Sequence, residues 1–256
     1  MLEFGLSLIG FETVSQIQLS TIRSAGYTSL TVVPSQLGFS TTLGQYQKSA
    51  DLLISQINEA GLRIHSLQGL LFGLEPGISE TKLLAADERL KELARLASDC
   101  NVKYLILGAP NFRQDKRCWD RIVSFAGKHQ EEYGVQFVVE NICNEQPGES
   151  AHLPWSNTSE EPKMKKMLDI GNALECSGKY PMFEHSTHDL DFCQISSRNH
   201  KFPVDLDNVL EITSALRMQP KVKLAIWEIM GEKLDDVYSE LPNHQKKILE
   251  HFNGKI

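Results

Sequence analysis

The chain has no CxxC pair among its five cysteines (Cys100, Cys118, Cys143, Cys176 and Cys193), and their number is odd. This gives no sign of a zinc ribbon or a disulfide framework, so reduced thiols in an intracellular protein are expected. No apolar run approaches the roughly 20 residues that span a bilayer. Residues 1–9 lack a basic leader and carry an early Glu3, so a first strand is expected there and not a signal peptide. Cytoplasmic residence without membrane association follows as an expectation. Basic residues are the minority, 26 Lys and Arg against 33 Asp and Glu, for a net charge of −7. Nucleic-acid binding through clustered cations is thereby disfavoured, and small-molecule chemistry is the easier fit.

What is present is alternation. Strand-like and helix-like segments follow one another, the pattern of a parallel sheet wrapped by helices. Strands are expected at 3–9, 28–33, 62–67, 102–107, 135–140, 168–170, 192–195 and 224–229. Helices are expected at 15–25, 43–60, 81–100, 116–133, 205–216 and 234–252, the last disturbed by Pro242. Gly26 and Gly61 follow the first two helices, as glycines that stop a helix do. The helix at 81–100 is the most clearly amphipathic, with Leu83, Leu84, Leu90, Leu93, Ala94 and Ala97 near one face. Between 141 and 163 the pattern weakens at Pro147, Gly148, Pro154 and Pro162. A long loop or fragmentary helix is expected there, a candidate lid. No linker or shift in composition divides the 256 residues, of which 41% are apolar. The expected fold is α/β: a single (β/α)8 TIM barrel with an irregular or shortened fifth helix connection, one domain over 1–256.

Four of the strand-like segments each hold one metal-capable polar residue among apolar ones. Glu140 follows Val138 and Val139, Asp169 lies between Leu168 and Ile170, Gln194 between Cys193 and Ile195, and Glu228 between Trp227 and Ile229. A carboxylate buried without a partner is costly, so each needs a cation or strong donors. The intervals are 29, 25 and 34 residues, each close to one strand, one helix and two loops. That is the repeat of a β/α barrel, whose strand ends converge on one mouth. An ion pair at the rim would account for any one glutamate; four such residues at barrel spacing favour a site.

Three carboxylates and an amide supply four oxygen ligands to a divalent cation. Mn²⁺ or Mg²⁺ suits them best, with Mn²⁺ favoured and Co²⁺ or Zn²⁺ left open. A cation held this way polarises a carbonyl and its neighbouring hydroxyl, lowering the cost of an enediolate. Glu140 and Glu228, approaching from different strands, would remove and return a proton on opposite sides of the substrate. That is isomerase or epimerase chemistry.

These residues also carry a resemblance. The chain resembles the sugar phosphate isomerase/epimerase family with the xylose-isomerase-like barrel, over nearly its whole length. The carrying segments are 66–73 after strand 3, 107–113 after strand 4, Glu140 with Asn141, 168–172, 194–196 and Glu228. In that family the metal is held by Glu, Asp, His or Gln, and Glu on strands 5 to 8. The resemblance thus implies Glu140, Asp169, Gln194 and Glu228 as ligands and a small carbohydrate as substrate. The chain departs from the pattern at Gln194, where many members have His. It departs again at Asn172, where sugar epimerases carry a substrate-orienting His, and near Thr31 or Val32, where a Glu is common. These departures keep two other readings open: a metal-dependent dehydratase of a polyol-like compound, and a catalytically degenerate barrel that binds a ligand or partner.

Other candidates are weighed against plainer roles. Arg113, in a loop with Pro110, could hold a phosphate or carboxylate bidentately or be a solvated loop cation. Arg198 or His200 could touch the substrate, or both could be surface residues. Gln68 and His65 are weaker candidates beside the reading of satisfied buried polar groups. Asn172 is counted among the substrate-binding candidates. His185 and His188 read as a solvated loop, Lys116 and Arg117 as a helix start, and Trp155 as either a cap on the substrate or a packing anchor. The sequence leaves the oligomeric state open, a homo-oligomer included.

Overall fold

The computed structural model describes residues 2–11, 13–38, 46–141, 164–177, 190–196, 206–229 and 234–252. Eight parallel strands are present: β1 (Glu3–Ser7), β2 (Ser29–Val32), β3 (Arg63–Leu67), β4 (Tyr104–Leu107), β5 (Gln136–Glu140), β6 (Lys165–Met167), β7 (Phe192–Ile195) and β8 (Leu224–Trp227). They are ordered β6-β5-β4-β3-β2-β1-β8-β7. Between β6 and β7 a single bridge joins Asp169 to Gln194, and the Gln194 N–H donates to Leu168 O at 2.9 Å. The sheet is therefore a nearly closed (β/α)8 barrel, and two of the four expected ligands stand at its seam.

The helices are α1 (Gln16–Ser24), α2 (Tyr46–Glu59), α3 (Glu80–Asp99), the single turn α4 (Pro110–Arg113), α5 (Lys116–Tyr133), α6 (Ile170–Ser177), α7 (Leu206–Arg217) and α8 (Leu234–Phe252). Local chemistry sets their ends. Ser15 and Gln18 form a reciprocal capping box on α1, satisfying amides the helix itself leaves unpaired. The Asp115 carboxylate accepts from the Arg117 and Cys118 amides at the start of α5, and Gly134 ends that helix at φ +67°. Among the described residues no helix is long and apolar enough to cross a membrane.

Period-two alternation divides the strand side chains between two cores. Phe137 and Val139 of β5 face outward and join Leu90, Leu93 and Ala94 of α3 and Ile122 and Ala126 of α5 in the larger one. Truncating one such leucine to alanine costs roughly 2 to 5 kcal/mol. Val138 faces the barrel interior with Tyr104, Ile106, Met167, Phe192, Leu224 and Ile226. Strands β1 to β3 contribute polar groups that pair with one another: Thr31 Oγ1 and Ser66 Oγ are 2.7 Å apart, and Arg63 Nε donates to Ser29 Oγ at 3.0 Å. The β2–β3 register slips between Leu30/Ile64 and Thr31/Ser66, inserting His65 as a bulge. Its ring packs against Tyr104 and Phe192, with centroids 5.1 and 4.4 Å away.

One expected strand is displaced. The sixth, expected at 168–170, lies at Lys165–Met167, and Ile170 already opens α6, a helix the sequence reading did not anticipate. The cause is Asp169. Its Oδ1 accepts from the Asn172 amide at 2.7 Å and its carbonyl accepts from the Ala173 amide at 3.1 Å, so it caps the helix and ends the extended run. The turn α4 is also additional, whereas α5 starts at Lys116 as expected. The fifth connection, expected to be irregular or shortened, lies outside the described residues.

Candidate metal centre and active site

Glu140 is the last residue of β5, Asp169 and Glu228 directly follow Leu168 and Trp227, and Gln194 lies within β7. All four thus come to the C-terminal mouth, where barrel enzymes carry their chemistry. Carboxylate oxygens of Glu140, Asp169 and Glu228 lie within 4.8 Å of one another. Glu140 is 8% exposed, Glu228 2%, and Asp169 and Gln194 0%. Asp169 Oδ2, Gln194 Oε1 and Glu228 Oε2 are buried and receive no hydrogen bond. Three such oxygens at three strand ends, with no protein N–H donor, fit a cation; without one, a proton shared between Glu228 and Asp169 can relieve that pair. The residues present therefore suit a hard divalent ion.

The charges confirm how crowded the cluster is. Burial first, and then the charge of Asp169, push the Glu140 carboxyl up to about 8, against the opposing influence of Arg113 and Asn172. Burial, followed by the charges of Glu140 and Asp169 and a hydrogen bond shared with Asp169, holds Glu228 well above the ordinary carboxylate range, against the donation from Gln68.

Neutral amides hold the acidic groups in place. Asn172 Nδ2 donates to Glu140 Oε1 and to Asn141 O, both at 2.9 Å. The Asn141 side chain clamps the peptide of Asp169: Nδ2 donates to Asp169 O at 2.9 Å, and Oδ1 accepts from Asp169 N at 2.6 Å. Gln68 Nε2 donates to Glu228 Oε1 at 2.9 Å. Gln194 Nε2 donates to Gln68 Oε1 at 2.7 Å. Asn172 and Gln68, both expected to contact substrate, thus have amide groups engaged by the acidic cluster.

Arg113 is half-buried on α4. It donates through Nη2 to Leu107 O at 2.8 Å, and its guanidinium lies 4.5 Å over the Trp119 ring. That anchorage keeps its charge near Glu140. Arg198, His200, His185, His188 and Trp155 lie outside the described residues. Three contributors are given no role of their own by the sequence: Asn141 and Gly108, which lie in the segments that carry the resemblance, and Ser7. Asn141 did carry a signal, a polar residue directly after an apolar strand.

A D-psicose 3-epimerase from Clostridium cellulolyticum H10, solved with D-tagatose, matches 98% of this chain and 98% of its own at 14% identity and a TM-score of 0.68. A sugar phosphate isomerase/epimerase from Parabacteroides distasonis matches 94% of this chain and 93% of its own at 16% identity and a TM-score of 0.64. A 3-keto-D-glucoside 4-epimerase from E. coli matches 97% and 99%, at 13% identity and a TM-score of 0.66. The fold is that of the sugar epimerase barrels. No protein-family model matches the sequence, and neither does any curated protein. At such low identities the likeness establishes architecture, and the chemistry must be read from the residues at the mouth.

Proposed function

We propose that this protein is a divalent-metal-dependent isomerase or epimerase of a small sugar, sugar phosphate or related hydroxy-carbonyl compound. The observation that carries this reading is the set of three buried, donor-free oxygens on Asp169, Gln194 and Glu228 beside the Glu140 carboxylate. Glu140, Asp169, Gln194 and Glu228 would hold the ion, with Mn²⁺ favoured among hard cations. Such an ion supplies Lewis acidity that makes the C–H beside a carbonyl easier to ionise.

Proton transfer falls to the two glutamates. Glu140 ends β5 and Glu228 directly follows β8, so the two carboxylates reach the mouth from different strands. Each has its Oε1 held by a side-chain amide, from Asn172 and Gln68 respectively. One glutamate removes the proton and the other returns it. Arg113, with Arg198 and His200, is assigned to substrate recognition. The sugar epimerases that share the barrel support a carbohydrate substrate.

The test is a panel of ketoses and aldoses incubated in D₂O with the Mn²⁺-loaded protein. Deuterium should enter at the carbon beside the carbonyl, with an isomeric product. Glu140→Gln and Glu228→Gln should each slow exchange by about 10²- to 10⁴-fold. Bound metal unchanged in Glu140→Gln and Asp169→Asn, or a product lighter by one water, would overturn the proposal.

A further inference from the structure

A glutamine is an ambiguous metal ligand, because its amide can offer either a carbonyl oxygen or an NH₂ group that a cation repels. Gln194 therefore needs something to decide which end faces the ion. The hydrogen bonds around Gln68, which is 2% exposed, do this. At one end of the chain of bonds the Ile9 N–H, which can only donate, meets Ser7 Oγ at 3.3 Å. Ser7 then donates its hydroxyl hydrogen to Gln68 Oε1 at 2.9 Å. At the other end the Glu228 carboxylate, which only accepts once it is ionised on a cation, takes a hydrogen from Gln68 Nε2 at 2.9 Å. The Glu228 end sets the orientation of the Gln68 amide, and the Ser7 hydroxyl, free to donate while it accepts from Ile9, agrees with it. Gln194 must then meet Gln68 Oε1 with its Nε2, at 2.7 Å, leaving Gln194 Oε1 free of any donor.

We infer that Gln68 is a positioning residue for the metal centre: held between Ser7 and Glu228, it fixes the Gln194 amide so that the oxygen is offered to the cation. The inference rests on the metal-centre reading above. It explains how the strand-7 position works without an imidazole, since the polarity of the ligand is set by a neighbour and not by the ligand itself. Partners of this kind just outside the ligand set commonly change metal affinity by about 10- to 100-fold.

The experiment measures Mn²⁺ affinity by calorimetry on the metal-stripped full chain, with unfolding of the metal-free proteins followed by circular dichroism. Gln68→Met keeps the side-chain length and removes both polar ends. Alone, it should weaken Mn²⁺ binding by about 10- to 100-fold. In the Gln194→Glu background the ligand has oxygen at both ends and no orientation to set, so Gln68→Met should cost less than about threefold there, the residue of its contact with Glu228. Ser7→Ala, a gentler change, should show the same background dependence with a smaller loss, and it serves if Gln68→Met does not fold. Equal losses in the two backgrounds, or no loss in either, would overturn the positioning role while leaving the metal centre standing. A wild-type protein that binds no Mn²⁺ would instead overturn the metal centre, and this inference with it.

Discussion

Gly108 and Glu140 are in direct opposition at the barrel mouth: a Cβ placed on Gly108 would stand 2.7 Å from Glu140 Oε2. The absent side chain at the end of β4 is what lets the glutamate lie where it does. Gly108→Ala should therefore turn the Glu140 carboxylate and strain its bond from Asn172. Because the obstructed atom is the end of a flexible side chain, the fold should survive, with less than about 1 kcal/mol of lost stability. Mn²⁺ affinity measured by calorimetry should fall by about tenfold or more. Unchanged affinity would show that the carboxylate has another place to go.

The fold was largely legible because its signals are local and repetitive. Apolar runs such as 135–140 and 192–195 end in Glu140 or contain Gln194, and the intervals between them match one barrel unit. Asp169 shows where local reading fails. Leu168 and Ile170 look like strand neighbours, yet the Asp169 carboxylate caps α6 while its backbone bridges to that of Gln194. A residue that ends a strand, starts a helix and joins a buried acidic cluster has competing local signals, and only the tertiary arrangement ranks them. The amide network was less legible still. Gln68 and Gln194 are 126 residues apart, as are no two members of any periodic pattern, and their bond is set by donor and acceptor polarity. Residue type marks such groups as polar; it does not say whether they touch substrate or hold a carboxylate.

A buried cluster of three carboxyl groups is unfavourable without a cation. Glu140, Asp169 and Glu228 crowd their oxygens within 4.8 Å, and Glu228 is raised well above the ordinary carboxylate range by burial and by its two acidic neighbours. Glu228→Gln should thus stabilise the metal-free protein, by about 1 to 2 kcal/mol in urea unfolding at pH 8. With Mn²⁺ in excess the order should reverse. At 100 times its dissociation constant a bound ion stabilises the wild type by about 2.7 kcal/mol, and the variant loses most of that gain. A variant less stable than wild type under both conditions would argue that Glu228 is held by protein donors alone.

The bulge that turns His65 into the barrel gives stability a pH dependence independent of the metal ligands. Burial first, and then the charge of Arg63, lower its pKa from 6.5 to about 4; Lys103 acts in the same direction, and Asp191 opposes them. The folded protein therefore keeps the ring neutral in a range where the unfolded chain takes up a proton. The contribution is complete above pH 6.5 and is lost as pH falls toward about 4, because protons then favour the unfolded state. Discounted for partial exposure, the loss is about 2 kcal/mol. His65→Phe keeps an aromatic ring against Tyr104 and Phe192 and has no proton to gain. Urea unfolding at pH 7, 5.5 and 4 should show the variant losing less stability than wild type across this interval, by that amount. Parallel losses in the two proteins would mean that the carboxylates alone set the acid limit and that the His65 ring titrates as it does in water.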